Sequence, residues 1–66
     1  MKNKLTAREL EVLSLIEEGL VTKEVANKLL ISIRTVETHR RNIHEKLGVR
    51  NVTAAIHKAR QLNVLI

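Results

Sequence analysis

Residues 22–47 read TKEVANKLLISIRTVETHRRNIHEKL, and their pattern indicates two helices joined by a short turn. Apolar residues at helical spacing predict a short helix over residues 23–29, with Thr22 as its N-cap. Ser32 has the side-chain chemistry of a second N-cap and predicts a longer, basic helix over residues 33–47. A short helix, a turn of about three residues and a longer basic helix form a helix-turn-helix.

Two further helices are predicted on either side of this stretch. Thr6 and Glu9 have the spacing of a capping box, in which each side chain accepts a hydrogen bond from the other residue's amide, and they predict a helix over residues 7–18. Asn51 is the predicted N-cap of a helix over residues 52–62. The glycines, which are placed to end the first and third helices, are Gly19 and Gly48. The apolar tail, which is expected to fold back on the core, is Val64-Leu65-Ile66.

Length and composition restrict the chain to one small domain. With 66 residues it can form a single modest core, and we expect an all-α, four-helix bundle-like domain over residues 1–66. The absence of cysteine excludes disulfides and thiolate zinc sites, and with them the zinc-finger class. No apolar run approaches the ~20 residues of a membrane span, and the N-terminus lacks the apolar stretch of a signal peptide. We therefore expect a soluble chain that stays where it is made.

The basic charge of the chain lies in its second half. The chain carries 12 Lys and Arg against 7 acidic residues, a formal net charge of +5. Residues 1–33 hold five basic and five acidic groups, whereas residues 34–66 hold seven and two, so the whole excess falls in the second half. This asymmetry indicates a polyanionic partner, either nucleic acid or an anionic membrane surface. Because the chain has no aromatic residue on which unpaired bases could stack, duplex DNA is favoured over single strands.

The predicted helix over residues 33–47 has one apolar and one polar face. At about 100° per residue, Val36, Ile43 and Leu47 share one side. The opposite side, with Asn42 at its border, carries Arg34, Glu37, Thr38, Arg41 and Glu45. Side chains of these types match the base edges exposed in the major groove of DNA. From this helix alone, a merely solvated polar face is an equal alternative. The adjacent Arg40 and Arg41 and the charge asymmetry favour DNA.

Several motifs occur together along the chain. They are Leu5-Thr6-x-Arg8-Glu9-x-Glu11-Val12-Leu13, then Gly19 followed by Lys23-Glu24-Val25-Ala26 and Leu29, then Ile31-Ser32-x-x-Thr35-Val36-x-x-His39, Ile43, and Lys46-Leu47-Gly48-Val49. As a set they resemble the LuxR-type (LuxR/GerE family) helix-turn-helix DNA-binding domain of bacterial transcription regulators. The resemblance implies a four-helix domain that binds promoter DNA, usually as a homodimer through the fourth helix. It also implies the C-terminal output domain of a larger regulator, such as a response regulator, behind a phosphoryl-receiver or ligand-sensing domain. The expected location is the bacterial cytoplasm at the nucleoid, with RNA polymerase as a further candidate partner.

The resemblance and the helix pattern together give the predicted contacts with DNA. By motif position, the base-reading side chains of the family fall on Glu37, Thr38 and Arg41, and Asn42 borders the same face. The phosphate contacts that the resemblance implies fall on Lys23, Ser32 and Thr35. Free helix N-termini and extra basic groups add Thr22, Arg34, Arg40, Lys46 and Arg50. The fourth-helix side chains left for a dimer interface, with plain solvent exposure as the alternative, are Thr53, Ala54, His57, Lys58 and Leu62.

Neither a metal nor another cofactor is expected. His39 and His44 are five residues apart, not the three or four that would place two ligands on one helix face. His39 is predicted to be a packed, hydrogen-bonded ring, with a phosphate contact as the alternative. His44 and His57 are predicted to be exposed.

Three other functions remain open at this point. A protein-interaction module that kept the fold but lost DNA binding is supported by Glu37, because a carboxylate repels phosphate. A membrane-surface helix would need a wide, bare apolar face, whereas the apolar faces here fit one shared core. An enzyme is the weakest alternative, because the chain has no Asp or Cys and no motif brings a nucleophile and a base together.

Overall fold

The computed structural model describes residues 4–62, which form four helices and no strand. The helices are α1 (Ala7–Glu17), α2 (Thr22–Leu29), α3 (Ile33–Leu47) and α4 (Val52–Gln61). The predicted all-α fold is confirmed. Helix α3 has its predicted bounds, and each of the others differs from its prediction by one residue at one end. The apolar tail, Val64-Leu65-Ile66, lies outside the described residues.

Three of the helices begin at their predicted caps. At the start of α1, the amide of Glu9 donates to Thr6 Oγ1 at 3.1 Å and the amide of Thr6 donates to Glu9 Oε1 at 2.9 Å. At the start of α3, the amide of Thr35 donates to Ser32 Oγ at 3.0 Å. At the start of α4, the amide of Ala54 donates to Asn51 Oδ1 at 2.8 Å. Each cap satisfies a backbone donor that the first helical turn leaves unpaired.

The predicted cap of α2 is wrong. Thr22 is the first residue of α2, and the N-cap is Val21, whose side chain accepts no hydrogen bond. Glu24 compensates in part, because its carboxylate accepts a hydrogen bond from the amide of Val21 at 2.9 Å. Threonine is a favoured cap and valine is not, so residue preference alone selects a position one residue too late. The amides of the first turn of α2 have no side-chain partner as a result.

Left-handed residues end three of the helices. Gly19 (φ 106°) and Gly48 (φ 67°) follow α1 and α3, as predicted. After α2 the same conformation falls on Leu30 (φ 58°), a leucine that is 90% exposed. There the amide of Ile31 donates to the carbonyl of Ala26 at 3.0 Å, which closes the end of the helix. A residue with a Cβ is strained in this conformation. A leucine in the sequence does not indicate that its backbone will be left-handed.

Helix α3 lies at the centre of the fold, in contact with α1, α2 and α4. Its buried side chains are Val36, Ile43 and Leu47. The buried apolar residues from the other helices and from the segment before α1 are Leu5, Val12, Leu13, Val25, Ala26, Ala55 and Ala59. Because this core holds one face of α3 against three helices, the opposite face points away from the protein.

Candidate nucleic-acid interface

The face of α3 that points away from the core is polar. On the inner side of the helix, Val36 and Ile43 are 0% and 1% exposed. On the outer side the residues are exposed, and Asn42 is half-buried at the border. These exposed residues, which form what we term the outer strip, are Arg34, Glu37, Thr38, Arg41 and Glu45. The two faces predicted from helical periodicity are therefore confirmed.

The side chains of the outer strip have no hydrogen-bond or ion-pair partner within residues 4–62. This holds although Glu37 lies three residues after Arg34 and four before Arg41, spacings at which opposite charges pair on a helix. The donors and acceptors of the strip consequently face solvent. They are available to a partner outside the chain.

Two other basic residues of α3 make polar contacts within the protein. Arg40 Nη1 donates a hydrogen bond to Thr22 Oγ1, at the start of α2, with a donor–acceptor distance of 2.5 Å. Lys46 Nζ lies 2.8 Å from Glu9 Oε1 and forms an ion pair between α3 and α1. Thr22, Arg40 and Lys46 are all predicted phosphate contacts. The side chain of Lys46 is 27% exposed, so a phosphate contact there would use an ammonium hydrogen that Glu9 leaves free.

The Glu9 carboxylate is buried, with only 3% of the residue exposed. Burial raises its pKa, but hydrogen bonds from Lys46 and Thr6 and the positive charge of Lys46 outweigh burial and leave the pKa below its usual value. Glu9 is therefore ionised at neutral pH and fixes the end of α3 against the start of α1. Sequence reasoning assigns Glu9 only to the cap and misses the ion pair, whose partners are 37 residues apart.

The remaining predicted phosphate contacts lie at or near helix starts and are exposed. Ser32 Oγ and Thr35 Oγ1 are 2.8 Å apart at the start of α3, where the positive end of the helix dipole lies. Lys23 is exposed on the first turn of α2, next to amides that no side chain caps. Arg34 and Arg50 are also exposed. Hydroxyl, amide and cationic groups of this kind bind phosphate at helix N-termini.

Residues 3–59 of the chain match the family described as "Bacterial regulatory proteins, luxR family". The chain belongs to this family. It is 48% identical over 62 residues to the "Uncharacterized response regulatory protein YgeK" of Escherichia coli strain K12, an alignment that covers 94% of this chain and 42% of that protein. It is 41% identical over 61 residues to the "Oxygen regulatory protein NreC" of Staphylococcus aureus strain JH9, covering 92% of this chain and 28% of that protein.

A solved structure matches the fold of the LuxR-family domain. It is described as "Crystal Structure of Response Regulator ChrA in Heme-Sensing Two Component System", with a TM-score of 0.90 and 50% sequence identity over 94% of this chain and 31% of that chain. The chain thus spans less than half the length of each of these relatives. The family resemblance of its motifs is confirmed. The chain is a LuxR-family DNA-binding helix-turn-helix domain of the kind found in transcription regulators, and the relatives are described as regulatory proteins.

The histidines of the LuxR-family domain differ in part from their prediction. His57 is exposed as predicted, but His44 is half-buried, so its predicted exposure is wrong. Burial lowers the pKa of His44, and the nearby positive charge of Arg40 lowers it further. His39 is half-buried, but its predicted hydrogen bond is wrong, because the ring has no partner within the described part of the chain. Within residues 4–62 no group of three His or acidic side chains could hold a metal ion, and no helix is long and apolar enough to cross a membrane.

Helix α4 of the LuxR-family domain has one side on the core and one side open. Ala55 and Ala59 face the core, and Arg60 is ion-paired with Glu17 of α1. The predicted dimer residues are Thr53, His57, Lys58 and Leu62, all exposed, and Ala54, which is half-buried. Their side chains have no polar partner within residues 4–62. Among the residues that the structure describes, none covers the open side of α4.

Proposed function

We propose that this LuxR-family domain binds a specific sequence in double-stranded DNA, with α3 lying in the major groove. The observation that carries this proposal is the outer strip, a row of exposed donors and acceptors that have no partner among the described residues, on a helix that three other helices hold in place. The major groove, about 12 Å wide, admits an α-helix and presents a different pattern of donors and acceptors for each base pair. The base contacts come from Glu37, Thr38, Arg41 and Asn42.

Side chains around the outer strip hold the domain on the sugar–phosphate backbone. Phosphate contacts fix the register and orientation of a protein on the duplex but do not by themselves read the sequence. The starts of α2 and α3 supply amides and hydroxyl groups, and α3 supplies most of the cations. The residues in this role are Thr22, Lys23, Ser32, Arg34, Thr35, Arg40, Lys46 and Arg50.

The domain acts as the C-terminal output part of a longer response regulator and binds DNA as a homodimer through α4. In support, the chain covers 42% or less of its longer relatives, and the open side of α4 has no polar partner within the described residues. A two-fold dimer matches a promoter site made of two half-sites, where the bound regulator can contact RNA polymerase. Because chromosomal DNA is the ligand, the domain works in the bacterial cytoplasm, at the nucleoid.

Selection of bound duplexes from a random pool, followed by two substitutions, tests the reading of sequence by α3. Arg41→Ala is expected to cost about 1–3 kcal/mol of binding free energy on the selected duplex and to relax one base position, because it removes donors to a base edge. Lys23→Ala is expected to weaken all duplexes about equally, because it removes a phosphate contact. Fluorescence anisotropy on selected and random duplexes measures both effects.

Two outcomes would contradict this proposal. If Arg41→Ala and Lys23→Ala weaken selected and random duplexes alike, α3 does not read base edges. If no duplex binds in a salt-dependent manner, the domain does not neutralise phosphates at all, and a protein-interaction module becomes the better interpretation.

A further inference from the structure

We propose that Glu37 selects a cytosine in the binding site and that Arg41, one turn later on α3, selects a guanine. This inference rests on the proposed function and names the base preference of the same surface. The two positions are separated by roughly 6 Å along the helix axis, less than two base-pair steps of about 3.4 Å. Their side chains therefore face the same or neighbouring base pairs when α3 lies in the groove.

Glu37 is an acidic residue with no hydrogen-bond or ion-pair partner in the described part of the chain. Glu9, Glu17 and Glu24 each accept a hydrogen bond or pair with a cation within the protein. Glu37 has no such partner within residues 4–62, is exposed, and lies between Arg34 and Arg41 on the outer strip. A carboxylate near DNA phosphates lowers non-specific affinity, and a hydrogen bond accepted from a base would offset this cost on the specific site.

A carboxylate can only accept hydrogen bonds, which restricts the bases it can contact. In the major groove, only the cytosine N4 and adenine N6 amino groups are donors, and adenine carries the acceptor N7 beside its amino group. An ionised carboxylate is repelled by that neighbouring acceptor, whereas cytosine has no acceptor on its own major-groove edge. The chemistry of Glu37 therefore points to cytosine and away from guanine, thymine and adenine.

Arg41 has the complementary chemistry. Its guanidinium is exposed and has no partner within residues 4–62, unlike that of its neighbour Arg40, which donates to Thr22. A free guanidinium binds the O6 and N7 atoms of guanine with two parallel hydrogen bonds. The positive charge of Arg41 four residues after Glu37 also reduces the repulsion between that carboxylate and the duplex.

The test compares Glu37→Gln with Glu45→Gln on one selected duplex and on three versions in which the candidate cytosine pair is replaced. Glu45 is a matched control because it is also exposed on the outer strip and has no partner among residues 4–62, but it lies roughly 12 Å further along the helix. Both substitutions remove one negative charge, so both should strengthen binding to random duplexes. The wild-type domain is expected to prefer cytosine by about tenfold. Glu37→Gln should reduce this preference to roughly threefold or less, and Glu45→Gln should retain it.

A modified duplex gives a second measurement on the folded wild-type domain. N4-methylcytosine at the same position blocks the hydrogen that the amino group presents in the major groove, so it should weaken wild-type binding by about the same factor as a change of base. If Glu37→Gln keeps the wild-type base preference, or if Glu45→Gln abolishes it equally, the inference is wrong while sequence-specific binding stands. If the wild-type domain selects no sequence at all, the proposed function fails and the inference falls with it.

Discussion

Leu30 combines a left-handed backbone, with φ of 58°, and a side chain that is 90% exposed. Asparagine adopts this backbone conformation more easily than leucine, and the exposed leucine side chain contributes little packing that could be lost. Leu30→Asn is therefore expected to raise the free energy of unfolding by about 0.5–1 kcal/mol. Urea denaturation followed by circular dichroism measures the change.

Leu62→Asn is the matched control for this substitution. Leu62 is also an exposed leucine, at 54%, but its φ of −87° is an ordinary value. The free energy of unfolding should change by less than about 0.5 kcal/mol. An equal gain in both variants would show that loss of exposed apolar surface, and not relief of the left-handed conformation, causes the stabilisation.

At the scale of helices, the boundaries could be predicted where the deciding residues are neighbours in sequence. The Thr6–Glu9 capping box and the caps Ser32 and Asn51 each act over three residues, and all three are found in the structure. The start of α2 could not be predicted, because Val21 occupies the cap against its residue preference. Contacts between helices were missed for another reason: the Arg40–Thr22 and Lys46–Glu9 partners are 18 and 37 residues apart, and periodicity does not show which helices meet.

The ion pair between α1 and α3 predicts a dependence of stability on pH. Folding lowers the pKa of Glu9 below its ordinary value of 4.5, so the ionised carboxylate stabilises the folded state. That contribution is complete above the unfolded-state pKa and is lost as the pH falls through the lower folded-state pKa. Glu9→Gln should reduce the free energy of unfolding by roughly 1–3 kcal/mol at neutral pH, and the variant should lose less stability than the wild type below about pH 5.

Glu11→Gln removes the same charge from the exposed side of α1. Glu11 Oε1 lies 3.7 Å from Arg8 Nη1, and the two side chains are 57% and 44% exposed. The change in stability should therefore stay below about 0.5 kcal/mol. Denaturation at several pH values compares the three proteins. If the wild type and Glu9→Gln have parallel pH profiles, the Glu9 carboxylate does not stabilise the fold through its charge.

At the scale of the whole molecule, the position of the outer strip could be predicted, but the availability of each basic residue could not. Helical periodicity places the strip opposite Val36, Ile43 and Leu47, and burial confirms it. Charge counting treats all cations of the second half alike. In the structure, Arg40 and Lys46 make hydrogen bonds or ion pairs within the protein, whereas Arg41 makes neither within residues 4–62. This division depends on how the helices pack, which no single segment of the sequence encodes.

The proposed dimer gives a prediction for two copies of the domain on one duplex. Leu62→Lys places like charges opposite each other if α4 meets its own copy across a two-fold axis. Cooperative binding to a duplex with two half-sites should be lost, while affinity for a single half-site is retained. Anisotropy titrations on both duplexes measure the two effects. Asn27→Lys adds the same charge on α2 and should leave cooperativity intact, and retained cooperativity in Leu62→Lys would argue against a dimer through α4.

The uncapped start of α2 has a further consequence for the free domain. A serine or aspartate N-cap in place of Val21 would stabilise this helix by about 1 kcal/mol. Val21 provides no such hydrogen bond, and it lies at the helix start where phosphate is expected to bind. A phosphate oxygen can accept the hydrogen bonds that no side chain takes. We therefore expect DNA to complete the first turn of α2, so that amide hydrogens there exchange with solvent readily in the free domain and slowly in the complex.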